Sequence, residues 1–265
     1  MVVKAPAAPS AAATETVAPV STDALPIIAE FVDVHRHYVM GKDNVVRALN
    51  GVSMQVKKGD YLAIMGRSGS GKSTMLNILG ALDRPTSGEY RVGGRDVSKL
   101  DDDDLSDVRG REIGFIFQSF NLIPQLTVLE NLEVPLFYQG RVGPESRKKA
   151  EYLADRVGLG RRLEHKPMEL SGGQQQRVAI ARALMNDPLF LLADEATGNL
   201  DSNTEKEILD LFDDLRKDAV TIVIVTHNPK VAERADNTLW LRDGKVDRLV
   251  DNRLASSAAG DGGHP

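Results

Sequence analysis

The sequence predicts an α/β fold with a mainly parallel sheet and an inserted helical subdomain. Three observations carry that expectation. Short apolar runs of strand length alternate with helix-periodic segments near both ends of the chain. The run YLAIMG passes through a Gly-rich loop directly into an apolar-periodic helix. Between about residues 120 and 186 the apolar residues recur at three- and four-residue spacing, without strand signals.

In chain order, residues 1–27 are rich in Ala, Pro, Ser and Thr and are expected to form a disordered arm, because such residues bury too little surface to offset ordering entropy. They lack the continuous apolar stretch of a signal peptide. EFVDVHRHYV, VVRALNGVSMQV and EYRVGGRDV read as short strands separated by turn residues. YLAIMG is a strand and STMLNILGAL the helix that follows it. Asp101–Asp104 reads as a solvated entry to a helix, where acids suit the positive end of the dipole. EIGFIFQ is a strand, and TVLENLEVPLFYQ, ESRKKAEYLADRVGL and GGQQQRVAIARALM are helices. Alternation then resumes with LFLLAD, the helix around TEKEILDLFDDLRK, VTIVIVTH, a short helix, TLWLRDG and KVDRLV. Residues 28–254 form the expected folded domain, and residues 255–265 an expected disordered tail.

Composition narrows the function. The net charge of -5 carries no basic excess, so nucleic acid is not an expected partner. The absence of cysteine excludes disulfides and thiolate metal sites. No apolar run approaches the roughly 18 residues that span a bilayer, so any membrane part is expected in another chain.

Gly66–Thr74, GRSGSGKST, matches a phosphate-binding loop. The backbone N–H groups of Gly66, Arg67, Ser68, Gly69, Ser70 and Gly71 approach phosphates closely, Lys72 supplies a cation, and Ser73 and Thr74 open the helix with hydroxyls. Ser73 is a candidate Mg²⁺ ligand. Arg67 occupies a variable position of the loop. LFLLADE places two acids at the end of an apolar strand. Asp194 is a candidate for holding Mg²⁺, and Glu195 for polarising a water that attacks the γ-phosphate. LSGGQQQ places Ser171, Gly172, Gly173 and Gln174 at a helix start, a second anion site far from the first in sequence.

These motifs together resemble the ATP-binding subunits of ABC transporters, over roughly residues 29–250. The resemblance implies a P-loop NTPase core with an N-terminal antiparallel β subdomain and an inserted helical signature subdomain. It makes LSGGQ the family signature, Gln118 the Q-loop glutamine and a further candidate at the metal, His227 the switch histidine, and Gly198–Asp201 the D-loop with Asp201 at its end. Tyr38 matches the aromatic that stacks on adenine. ATP and Mg²⁺ are the implied ligands and ATP hydrolysis the implied activity. Glu195 is implied as base, His227 as the group holding its geometry, and Lys72 as the phosphate partner. A second copy is the implied partner, closing head to tail so that each ATP lies between one phosphate loop and the other chain's Ser171–Gly173.

The wording ALDRPTSGEY, IGFIFQSFNLIPQLTVLENLEVPL and DEATGNLDS is closest to the lipoprotein-releasing, macrolide-exporting and cell-division ATPases. That branch implies a separate permease with few membrane helices and a large extracytoplasmic domain. The ATPase then sits peripherally on the cytoplasmic face of the membrane. Export or lipoprotein release is the first expectation, and regulation of cell-wall hydrolases through a permease-like partner the alternative. A soluble ATPase acting on DNA or ribosomes lacks its marks here: long coiled coils, zinc cysteines or two ATPase units. Ala196 departs from the family, which usually has Pro there.

Overall fold

A computed structural model describes residues 25–41 and 45–254. The expected tail, and the expected arm up to residue 24, lie outside the described residues.

Two sheets organise the fold. The smaller contains β1 (Ile27–Val39), β2 (Val45–Lys57), β4 (Ser87–Val92) and β5 (Arg95–Asp96), in the antiparallel order β2-β1-β4-β5. The larger contains β3 (Tyr61–Gly66), β6 (Ile113–Phe117), β7 (Phe190–Asp194), β8 (Ile222–Val225), β9 (Asn237–Arg242) and β10 (Lys245–Asp251), in the order β10-β9-β3-β8-β7-β6. All its pairings are parallel except β9–β10. That exception is a hairpin closed by Asp243 and Gly244, both at positive φ (51° and 73°), as a two-residue Asp-Gly turn requires.

The central strands are apolar without alternation because both faces are covered. β3, β7 and β8 are buried along nearly their whole length. Their alternate residues enter two different cores. Tyr61, Ala63, Leu191 and Ile224 pack with the helical side, whereas Leu62, Ile64, Leu192 and Val225 pack with the small sheet and with α1 (Lys72–Leu79) and α2 (Asp102–Glu112).

The helical block consists of α3 (Val128–Phe137), α4 (Pro144–Arg156), two short 3-10 turns and α5 (Gly172–Ala183), which returns the chain to β7. Caps set its boundaries. Thr127 with Glu130, and Ser171 with Gln174, form reciprocal capping boxes, each cap contributing about 1 kcal/mol. α6 (Ser202–Lys217) buries Ile208, Leu211, Phe212 and Leu215 on one face, and α7 (Pro229–Ala232) is a single turn. The acidic run resolves as expected: Asp101 caps α2 by accepting from the Asp104 N–H, and Asp102–Asp104 fill its first turn.

In-register pairing aligns the carboxyl ends of the central strands. Phe117 lies beside Asp194, Asp194 beside Val225, and Val225 beside Ile64. The loops after β3, β6, β7 and β8 therefore emerge together at one edge, where ligands of open α/β sheets bind.

Candidate nucleotide site

The loop between β3 and α1 is built to be approached closely. Gly69 and Gly71 have φ of 77° and 104°. A Cβ on Gly66 would meet Ser70 Oγ at 2.4 Å, and one on Gly71 would meet the Ala48 carbonyl at 2.4 Å, so no larger residue fits either position. The hairpin turn braces the loop from outside: the Gly244 N–H donates to the Ser70 carbonyl (3.0 Å), while the Gly244 carbonyl accepts from the Asn50 N–H (2.8 Å). Lys72 Nζ donates to the carbonyls of Gly66 (2.8 Å) and Arg67 (3.0 Å), which holds the ammonium over the loop. Ser70 Oγ is buried in the loop and has no hydrogen-bond partner among the described residues.

A cleft of about 950 Å³ opens over this loop. Gly66–Gly69 and Gly71–Thr74 line it, together with Tyr38, Glu195 and His227. Most of the residues expected to surround the nucleotide thus converge on one space. Tyr38 is held by its hydroxyl, which donates to Asp83 (3.0 Å), and by the Arg36 guanidinium 4.6 Å from its ring centre.

His227 Nδ1 and Glu195 Oε1 are 2.8 Å apart. An ionised carboxylate can only accept, so Nδ1 carries the hydrogen. Glu195 has φ of 44°, a strained conformation for a side chain other than glycine, and the Ala196 that follows it is buried. Burial raises the pKa of Asp194 above the ordinary carboxyl range, and the adjacent Glu195 charge raises it further. Ser73 lines the cleft, whereas Asp194, at the end of β7, is not part of its lining; their hydroxyl and carboxylate oxygens are hard donors of the kind Mg²⁺ takes. No cluster of three or more His, Cys, Asp or Glu able to hold a metal occurs among the described residues. Mg²⁺ bound chiefly through substrate phosphates needs no such cluster.

Other expected residues lie outside the cleft lining. Gln118 follows β6 and exchanges hydrogen bonds with Asn199: Gln118 Nε2 donates to Asn199 Oδ1 (3.1 Å), and Asn199 Nδ2 donates to the Gln118 carbonyl (3.2 Å). Asp201 caps α6, accepting from the Asn203 and Thr204 N–H groups and from the Thr204 hydroxyl. The Thr204 hydroxyl is the main cause that lowers its pKa. Ser171 and Gln174 cap α5, Gly172 faces Leu200 and Phe120, and Gly173 abuts Thr204, where a Cβ would lie 2.3 Å from Cγ2.

The structure adds cleft residues that sequence reasoning missed, among them Arg47, Pro229, Trp240 and Asp243. They come from β2, α7 and the β9–β10 hairpin, and no local pattern marks them. Trp240 is the chain's one tryptophan, a usable signal that composition alone left unplaced.

A family model described as ABC transporter matches residues 49–198. An uncharacterized ABC transporter ATP-binding protein of Thermotoga maritima is 52% identical over 84% of this chain and 94% of its own length. A macrolide export ATP-binding/permease protein, MacB, of Hyphomonas neptunium is 48% identical over 88% of this chain, which spans only 36% of that protein. A dimeric ATP-binding cassette solved in a post-hydrolysis state with ADP and Pi superposes with a TM-score of 0.76 at 46% identity, covering 85% of this chain and 99% of that one. The cleft over a glycine-tight loop, the acids at the strand edge and these likenesses agree: the chain belongs to the ABC transporter family, as an ATP-binding subunit.

Proposed function

We propose that the chain hydrolyses ATP with Mg²⁺, as one half of a head-to-tail dimer, and powers export through a separate membrane permease. The observation that carries the hydrolase reading is the Glu195–His227 pair facing the same cleft as the phosphate loop.

In this reading the N–H groups of Gly66–Gly71 and the Lys72 ammonium hold the phosphates, and Ser73 and Thr74 begin the helix whose dipole faces them. Tyr38 packs against adenine, and Arg67 adds positive charge at the mouth of the loop. Ser73, Asp194 and Gln118 would hold Mg²⁺, whose charge would neutralise that of the phosphates. Glu195 accepts the proton of the attacking water, and His227 keeps the carboxylate aimed. Phosphoryl transfer depends chiefly on such positioning and charge stabilisation.

The dimer is supported by Ser171–Gly173, which lie outside the cleft of their own chain, and by the dimeric state of the similar cassette. Asp201, at the end of the D-loop, stiffens the start of α6 beside that signature.

The permease reading is supported by the macrolide export relatives, whose names join ATP-binding and permease functions. It is also supported by a mainly apolar surface groove in which Ile123, Phe137, Tyr138 and Val142 lie beside Glu130 and Glu133, with Phe137 and Tyr138 exposed at 70% and 82%. No helix among the described residues is long and apolar enough to cross a membrane, so a peripheral position against such a permease is the location proposed. Affinity capture from membranes with the Glu195→Gln variant and ATP, followed by mass spectrometry, tests it. Recovery of a permease with few membrane spans and a large outer domain supports the branch, and the outer domain of that permease then separates export from regulation of cell-wall hydrolases. A many-helix permease moves the chain to another branch, and recovery of ribosomes or DNA alone overturns the membrane role.

A further inference from the structure

Beyond β7 and β8 the ladder has ended, yet Glu195 and His227 still meet at 2.8 Å. The last backbone tie between the two loops is the Glu195 N–H to the Val225 carbonyl, 2.9 Å. A third carboxylate also bridges the two loops through side-chain hydrogen bonds. Glu205, half-buried in the first turn of α6, accepts from Asn228 Nδ2 at 3.0 Å and from the Thr197 hydroxyl at 3.4 Å, both through Oε1.

Thr197 stands two residues past Glu195, and Asn228 directly follows His227. Both ends of this bracket are themselves pinned. Thr197 is only 7% exposed. The Asn228 N–H donates to Thr226 Oγ1, and its side-chain carbonyl accepts from the Lys230 N–H, each at 3.0 Å. Glu205 does not line the cleft, so its route to the chemistry runs through these loops. One acceptor oxygen thus receives a donor from each loop, the Asn228 amide closely (3.0 Å) and the Thr197 hydroxyl at longer range (3.4 Å).

We propose that Glu205 is a positioning residue that clamps the loops after β7 and β8 and so sets the Glu195–His227 geometry. The proposal rests on the hydrolase reading above. It makes α6, which begins at the D-loop cap Asp201, a part of the catalytic frame.

The test is steady-state kinetics of Mg²⁺-ATP hydrolysis by the wild-type chain, Glu205→Ala, Glu205→Gln and Asn228→Ala, and by Glu205→Ala combined with Glu195→Gln. Glu205→Ala is expected to lower kcat by about 10-fold or more, with KM for ATP unchanged, as displacement of a reacting group from its working geometry does. Glu205→Gln retains an acceptor oxygen and restores most of the rate. Asn228→Ala opens the clamp from its other end and shows the same kcat-only loss, also if Glu205→Ala fails to fold. In the Glu195→Gln background Glu205→Ala adds no further loss, because the two act on one element. An unchanged kcat in Glu205→Ala, a matched change in KM, or the full loss repeated in the Glu195→Gln background overturns this proposal alone. A wild-type chain that does not hydrolyse ATP overturns the hydrolase reading and this proposal with it.

Discussion

Glu195 and His227 come from neighbouring strand ends 32 residues apart and meet at 2.8 Å in the lining of one cleft. Glu195 reaches that contact from a left-handed backbone, at φ 44°. Strain at a single residue persists only where the surroundings over-determine it. Here the surroundings are the pairing of β7 with β8 and the Glu195 N–H to Val225 carbonyl bond.

Glu195→Gln tests the base directly. The amide keeps size and shape but cannot take a proton. Hydrolysis is expected to slow by at least ~100-fold, the low end for a lost general base, while ATP binding persists. Light scattering with ATP should then report a trapped dimer. Wild-type turnover in this variant would move the base elsewhere.

Lys72→Ala removes the ammonium that sits over the Gly66 and Arg67 carbonyls. Tight ATP binding should be lost. Trp240 lines the cleft and is the chain's sole tryptophan, so its intrinsic fluorescence during a nucleotide titration reads occupancy directly. Full affinity in the variant would remove the phosphate-loop assignment.

Ser171→Arg separates the two anion sites. Ser171 is exposed and lies outside the cleft of its own chain, so the Trp240 titration should be unchanged. Hydrolysis should stop, because the bulky cation blocks the second chain's approach. The variant also loses the cap on the Gln174 N–H, at about 1 kcal/mol. Normal turnover would contradict a site shared between two chains.

Asp194→Asn exposes a conflict between stability and function. The folded-state pKa of Asp194 is raised, first by burial and then by Glu195. The folded chain therefore holds this proton more tightly than the unfolded chain does. As pH rises from the unfolded value through the folded one, unfolding releases the proton and stability falls; above the folded pKa the whole cost is present. The neutral amide removes that cost, so without Mg²⁺ the variant should melt above wild type at neutral pH and match it in acid. Adding Mg²⁺ and ATP should raise the melting temperature of wild type more than that of the variant. A lower melting temperature for the variant at neutral pH would show that the Asp194 charge is stabilising.

Much of this was legible in the sequence because its causes are local. A continuous apolar run is what a strand buried on both faces requires, and YLAIMG, LFLLAD and VTIVIV became β3, β7 and β8. Gly-Lys-Ser after a strand announces a phosphate loop, and Ser171 before two glycines announces a helix start; the Thr127–Glu130 box that opens α3 came from the structure. Local pattern also placed Asp101–Asp104 at the entry to a helix, and the structure makes Asp101 the cap of α2. The tertiary structure alone decided what depends on pairing between distant segments. The order β10-β9-β3-β8-β7-β6 has no signature in any strand's own composition. That order brings Trp240 and Asp243 to the phosphate loop, turns Gln118 to Asn199 and joins Thr197 to Asn228 through Glu205. Side-chain periodicity states which face of an element is buried, but the partner on the other side is chosen by the packing of the whole chain.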